Sequence, residues 1–266
     1  MTNHKALIER DKRKYIKKGT RFLEDIAGIL KVNLIMTAVD EEFVLFHLHD
    51  DCRMALQKMG ERIDYAPILE DDQLVGYVKR EKLTGSPEKF CKDLMENLDS
   101  GDCVSPDTTI ESVLDLLSDK AFLSVTEEKR LLGIITRAYL NKRAVCILLY
   151  AALCELESPL VDLIKSNFPK SEYLKGILSE DRAKEMLYHY WIARMGNTEV
   201  SIEEHLRMGD VVNIIQKSKN RNILEALGYQ LPKQSKELSS LVDLRNRVMH
   251  PERTLVRDQK SVSDIR

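Results

Sequence analysis

Near one end of this 266-residue sequence, the run "LVDLRNRVMHPER" (residues 241–253) gathers Arg245, Asn246, Arg247 and His250 within six positions of a helix-like pattern that halts at Pro251. A guanidinium grips a phosphate through a planar fork and stabilises added negative charge. An imidazole titrates near neutral pH and can move a proton. An arginine and a histidine held on one phosphate can activate an RNA 2′-hydroxyl against its neighbouring phosphate without a metal. Asn246 would then orient the imidazole or hold a phosphate oxygen. A plainer role is open too: cations in the last turn of a helix meet the negative end of its dipole, at about 0.3–1 kcal/mol each.

Spacing limits the first reading. Asn246 and His250 are four apart and share one helix face. Arg245 and His250 are five apart, about 140° around the axis at 3.6 residues per turn. A single regular helix therefore does not close both on one phosphate. Two remedies exist. The helix can end at His250, because a residue before proline avoids the α region. Alternatively, a two-fold dimer can bring Arg245 of one chain to His250 of another.

Other candidates are weaker. Lys79 and Arg80 follow a strand pattern in "GYVKREK", and Thr136 holds the matching place in "GIITRAY". The two cations either attract phosphates or are simply exposed at a helix start. Tyr188, His189, Tyr190 and Trp191 suit base stacking, or more plainly a core or dimer interface. His47 and His49 stand two apart in a strand-like run without further ligands, so no metal site is expected. There is no P-loop, no G-x-G-x-x-G and no serine or cysteine nucleophile with a partner signature. The five cysteines are scattered and odd in number, which points to buried thiols in a reducing compartment rather than to a disulfide framework or zinc.

The elements that must position these residues fall into contrasting textures. A net charge of −2, from 41 basic and 43 acidic residues, excludes a generally cationic nucleic-acid coater, and 43% hydrophobic content supports real cores. Residues 1–24 are basic and helix-like, with Lys5, Arg10, Lys12, Arg13, Lys14, Lys17, Lys18 and Arg21 forming either a solvated face or a phosphate-attracting arm. They lack the apolar core of a secretory signal. The longest apolar run, "AVCILLYAALC" from Ala144, is short for a bilayer. The expectation is a cytoplasmic protein that needs no membrane.

From 25 to 142, short β-branched strands alternate with short helices. "NLIMTAV" and "FVLFHL" read as strands, and "DCRMALQKMGE" as a helix. "YAPILEDDQLVGYVKREKL" reads as strand, acidic turn, strand and helix start. "SPDTTIESVLDLLSDKAFLSVTEEKRLLGIITRAYLNK" gives the same series again, with Thr108 or Thr109 as helix cap. "QLVGYVKREKL" and "LLGIITRAYL" lie nearly sixty residues apart, an internal repeat. From 143 to 256 the chain is helical, with caps at Ser179 and Ser201, an expected stop at Gly196-Asn197 and an expected break near Ser158-Pro159. Residues 257–266 form a tail.

On those residues, "VSPDTTIESVLDLLSDKAFLSV…RLLGIITRAYL" resembles a cystathionine-β-synthase (CBS) domain, and Asp50–Leu83 resembles a diverged second copy. The resemblance implies an α/β pair of copies (a Bateman-type module) that takes an adenine nucleotide in its clefts. That family commonly carries a Thr or Ser and an Asp in G-x-x-T-x-x-D after the second strand. Here Lys79 and Lys82 replace both in the first copy, and Tyr139 replaces the Asp in the second, leaving Thr136 as ligand contact beside Lys79 and Arg80. "RNRVMH" is similar to the R-polar-x-x-x-H signature of HEPN domains, all-α bundles in which many members cut RNA at a dimer cleft without a metal. That resemblance implies an α/β CBS pair followed by an all-α HEPN-like bundle, as a homodimer with Arg245, Asn246 and His250 as catalytic residues and no required cofactor. The activity is a ligand-regulated ribonuclease or, from another class, a non-catalytic nucleotide sensor whose helical domain binds partners.

Overall fold

The computed structural model describes residues 22–39, 43–99, 101–168, 171, 176–218, 223, 235–250 and 252–265. The basic positions from Lys5 to Arg21 lie outside the described residues. The chain divides into two compact units: one holds residues 24–148 and 254–266, the other residues 149–253 with 1–23.

The first unit is built on a repeated hairpin. Strands β1 (Thr37–Ala38) and β2 (Phe46–His47) precede helix α2 (Cys52–Met59), itself preceded by a helix α1 over residues 22–29. Then come β3 (Tyr65–Glu70), β4 (Gln73–Lys79) and α3 (Arg80–Gly85). The second copy follows α4 (Cys91–Leu94) and β5 (Glu96–Asn97). It runs β6 (Cys103–Val104), α5 (Ile110–Asp119), β7 (Phe122–Glu127), β8 (Arg130–Thr136) and a 3₁₀ turn over Arg137–Asn141.

The two hairpins match position by position. Tyr65 pairs with Lys79 and Phe122 with Thr136, each 57 positions further along. Both register shifts sit at corresponding places, at Ile68/Leu69 and at Val125/Thr126. Inward positions alternate identically on β4 and β8, the two-residue period of a half-buried strand. The acidic turn holds Asp71 and Asp72 at φ of 47° and 61°, the left-handed pair that joins two-residue hairpins.

The expected strand "NLIMTAV" shrinks to Thr37–Ala38. Its first residues instead turn as a 3₁₀ helix, because the Val32 and Asn33 N–H groups donate to Thr108 O and Pro106 O at 2.9 and 3.2 Å. The second copy's entry is mirrored by the first: Cys91 N donates to Asp50 O and Lys92 N to Leu48 O, both at 2.9 Å. The helix caps follow local chemistry. Asp51 accepts from the N–H groups of Arg53 and Met54, and Thr109 Oγ1 accepts from Ser112.

The connections cross. β1 precedes the first hairpin but pairs with β8 of the second; β5 precedes the second but pairs with β4 of the first. Each crossing needs a glycine. A Cβ on Gly133 would lie on the carbonyl oxygen of Thr37, and one on Gly76 would come within 2.6 Å of the carbonyl oxygen of Glu96. Residues 257–266, a tail by sequence, contain a helix (Gln259–Ile265, α10 below). Gln259 Nε2 donates to Ser118 O at 2.8 Å, while Val262 and Ile265 are buried. Asn141 clamps this return through both amide atoms, donating to Val256 O and accepting from Val256 N at 2.9 and 2.8 Å.

The other unit is helical. α6 (Arg143–Asn167) enters it, followed by α7 (Glu180–Met195), α8 (Met208–Ser218) and α9 (Ser235–Met249); α10 closes the chain in the first unit. Leu160, Ile164, Met186, Val211, Ile214 and Leu238 form its core. The expected break at Ser158-Pro159 does not occur: α6 runs through Pro159. Proline leaves one carbonyl without its helical donor, and one turn of an otherwise packed helix tolerates it. α6 is 25 residues long, more than its 11-residue apolar run implied. By length and composition alone it could cross a membrane; Leu153, Leu160 and Ile164 are buried in the protein, while Ile147 and Tyr150 are about half exposed. The Ser179 cap forms as spaced; of the Ser201–Glu204 box, Glu204 Oε1 accepts from the Ser201 N–H at 2.8 Å on a 3₁₀ turn over Ile202–His205, while Ser201 Oγ has no partner among the described residues.

Replacing Gly133 by alanine is expected to destabilise the first unit by about 1–3 kcal/mol, the range for steric insertion into a packed site. Urea unfolding measures this as a lowered midpoint; an unchanged midpoint would contradict the required close approach.

Candidate functional site

Lys79 and Arg80 stand where β4 turns into α3. With Asp64, Tyr65, Glu81 and Thr84 they line an open pocket of about 470 Å³. Its wall continues into three rings. Tyr65 stacks on Phe122 at 5.0 Å between centroids, and Tyr77 meets Phe122 edge-on at 4.9 Å. Tyr65 and Phe122 occupy equivalent places in the two hairpins, so the stack joins the copies at their corresponding corners. Thr136, equivalent to Lys79, is half-buried at the end of β8 and is not among the residues lining this pocket.

The cations here are already answered. Arg80 places Nε and Nη2 on Asp64 Oδ1 at 3.3 and 2.9 Å. Glu96, delivered by β5, takes Lys79 and Lys82 at 2.9 Å each and the Tyr77 hydroxyl at 2.8 Å. Burial alone would raise the Glu96 carboxyl, but the bonds from Lys79, Lys82 and Tyr77 outweigh it and bring it to about 2. Tyr77 is pushed well above its ordinary value by burial and by bonding to Glu96, and Lys79 is raised by that same carboxylate. Sequence reasoning singled out Lys79 and Arg80 but missed Glu96 and Tyr65. Glu96 lies 17 positions beyond Lys79 in a two-residue strand, and only the strand crossing brings it there.

These charges can exchange partners. The Arg80–Asp64 pair is exposed and contributes about 0–1 kcal/mol, so an incoming phosphate can replace Asp64 at little cost. The pocket contains no nucleophile activated by a neighbour, and among the described residues no group of His, Cys, Asp or Glu is placed to hold a metal ion.

In the helical unit, Arg245 and Asn246 project from α9 and are half-buried. With Arg182, Arg207, Asp210 and Asn213 they line a second pocket, of about 290 Å³. His250 is not among its lining residues. α9 ends at Met249, and His250, half exposed, places Nδ1 3.4 Å from Glu252 Oε1. The helix therefore stops where a pre-proline residue would stop it, and within one chain His250 does not share the pocket with Arg245. Arg247, the extra cation, is half-buried. On α7, Tyr188 and Trp191 are more than 60% exposed and Met195 is 82% exposed; they lie on the surface of this unit rather than in its core. His47 sits near Asp50 at 3.9 Å and His49 is exposed.

The family model of the CBS domain matches residues 92–144, and this part of the α/β unit is a CBS domain. Several solved structures are similar to part of the chain. The CBS domains of a transcriptional regulator from Streptococcus pneumoniae are 21% identical, over 43% of this chain and 99% of that one, with a TM-score of 0.39. The CBS-pair protein CBSX2 from Arabidopsis thaliana is 23% identical, over 44% and 96%, with a TM-score of 0.40. A structure of CBSX2 in complex with AMP is 24% identical, over 44% and 98%, with a TM-score of 0.39. A comparison with curated proteins finds no match.

Glu96 carries a pH signature. A carboxyl held at about 2 against an ordinary 4.5 stabilises the fold fully above 4.5, and that contribution is lost as pH falls through 2. Glu96→Gln is expected to remove that part of the acid sensitivity, about 3 kcal/mol, measured by urea unfolding between pH 5 and pH 2 as a flatter stability profile. An unaltered slope would contradict the carboxylate's role.

Proposed function

We propose that this protein is a nucleotide-responsive regulator, in which the CBS-type unit binds an adenine nucleotide and the helical unit carries the response. The observation that carries this reading is the pocket of about 470 Å³ at the end of the first hairpin, where Lys79 and Arg80 sit beside the Tyr65 ring. Cations for phosphate beside an aromatic wall suit a nucleotide. Lys79 and Arg80 would release Glu96 and Asp64 to meet the phosphate, with Thr136 as the equivalent contact in the second copy. Ligand binding would bias two arrangements of the chain, since a ligand shifts an equilibrium only through its different affinity for the two states. The five cysteines, all free thiols, fit a cytoplasmic, reducing setting.

A second reading is favoured by one feature of the helical unit. α9 stops at Met249 and leaves His250 exposed just beyond Arg245. The chain by itself keeps the two apart, so a metal-independent ribonuclease requires a homodimer in which His250 of a partner meets Arg245 and Asn246. The exposed Tyr188, Trp191 and Met195 of α7 suit such a two-fold contact, since large aromatics are enriched at interfaces. In that dimer Arg245 would stabilise phosphate charge, His250 would move the proton and Asn246 would orient the imidazole.

Two experiments test these readings. AMP is expected to raise the melting temperature of the wild type by a few degrees, as a ligand that binds only the folded state does. The Lys79→Gln/Arg80→Gln variant should lose most of that rise; an equal rise in the variant, or none in the wild type, contradicts the nucleotide site. For the second reading, end-labelled structured RNA is incubated with protein in a chelator. Cleavage to cyclic-phosphate ends by wild type and not by folded His250→Ala is expected of a ribonuclease. Intact RNA in both leaves the regulator without that activity.

A further inference from the structure

The arginines of the helical unit differ in how many donors they have left. Arg182, only 13% exposed, is saturated. Its Nε and Nη2 donate to Asp210 Oδ2 at 2.9 and 2.7 Å, Nη2 also to His205 O at 2.7 Å, and Nη1 lies 2.8 Å from Glu185 Oε2. Asp210 is equally committed, since its Oδ2 also accepts from the Arg207 N–H at 2.9 Å. This buried pair fixes the start of α8 against α7 and has little to offer a ligand. Arg207 is different. Its side chain is 64% exposed and held by one carboxylate, Glu185, which Arg182 already neutralises. Arg245 has no hydrogen bond or ion pair among the described residues, and Asn246 has none either. Asn213 is exposed at the same pocket. The charges therefore do not cancel here as they do at the first hairpin. Two guanidinium forks and two amides face a space of about 290 Å³, near the lower end of small-molecule sites, and the one lining carboxylate among the described residues, Asp210, is paired with Arg182.

We propose that this pocket, formed within one chain by residues of α7, α8 and α9 and by Arg207, is a second ligand site that takes the phosphate group of a nucleotide-sized small molecule through Arg207, Arg245, Asn213 and Asn246. Arg245 is the standing receptor. Arg207 swings from Glu185 to the phosphate and completes a two-arginine fork. Arg182 is a positioning residue, holding Asp210 and the frame. The site shares Arg245 and Asn246 with the ribonuclease reading but needs neither His250 nor a second chain, and it shares no residue with the nucleotide site of the CBS unit.

Isothermal titration calorimetry of the full chain with inorganic pyrophosphate, and separately with AMP, tests it. Pyrophosphate is expected to bind wild type, His250→Ala and Lys79→Gln/Arg80→Gln alike. Arg245→Gln and Arg207→Gln should weaken it by about ten- to a hundredfold, the loss expected for a hydrogen bond to a charged group. Arg245→Lys, which keeps the charge and loses the fork, should fall between. Gly209→Leu supplies a variant that changes no charge. Gly209 lines the pocket and an added Cβ meets no atom within 4 Å, so a side chain can start there, and the leucine's bulk should also weaken binding. Melting curves confirm that each variant is folded. No binding by wild type overturns the proposal, as does unchanged binding in Arg245→Gln, or a loss confined to Lys79→Gln/Arg80→Gln. An oligonucleotide without terminal phosphates that binds more tightly than pyrophosphate or AMP would overturn the small-molecule assignment.

Discussion

The crossing of β1 and β5 between the two hairpins is the constraint on which the α/β unit depends. Neither copy is complete alone. β8 is finished by a strand that precedes the other copy, and β4 likewise. The helix starts are exchanged too: Lys31 bridges to Thr109 and Phe90 to Asp51. Each crossing brings backbone against a glycine, Gly133 or Gly76, where a side chain would block it. Hydrophobic burial then seals the arrangement, with Phe46, Ile68, Val78 and Leu83 in one cluster of the first copy and Leu69, Leu74 and Leu131 joining the hairpins in another.

The chemistry of the first pocket follows from that crossing. Glu96 belongs in sequence to the approach to the second copy, yet β5 sets it on Lys79, Lys82 and Tyr77 of the first. The carboxylate therefore holds Lys79, which lines the pocket, and Lys82 nearby in a paired state. At the helical unit the balance falls the other way. Asp210 is consumed by Arg182, which leaves Arg245 without an ion pair among the described residues and Arg207 held by Glu185 alone. Similar residue types thus give a guarded site and an open one, and the difference lies in where the acids are placed.

Much of the fold was legible because its signals are local. The repeat at nearly sixty residues, the caps at Thr109 and Ser179 and the acidic turn at Asp71-Asp72 depend on neighbours in sequence, and all form. The short strands were less legible. Residues 33–39 have strand composition, but Asn33 donates to Pro106 O and Val32, just before it, to Thr108 O, more than seventy residues away, and tertiary context overrides composition there. The proline in α6 misled for the opposite reason: a local rule predicted a break that packing overrode. At the sites, cations were easy to find and their partners were not. Lys79 and Arg80 stand out beside a strand, whereas Glu96, Arg182 and Arg207 acquire meaning only through contacts 17 to 28 positions away.

The central claim is that a nucleotide at the CBS-type unit changes the helical unit. Amide hydrogen exchange of the full chain, with and without AMP, tests it most directly, because exchange reports local opening segment by segment. The account predicts slower exchange at 65–85 and, in the same samples, altered exchange across α9 (Ser235–Met249), with both changes absent in Lys79→Gln/Arg80→Gln. A change confined to 65–85, with α9 exchanging identically in both states, would contradict the coupling.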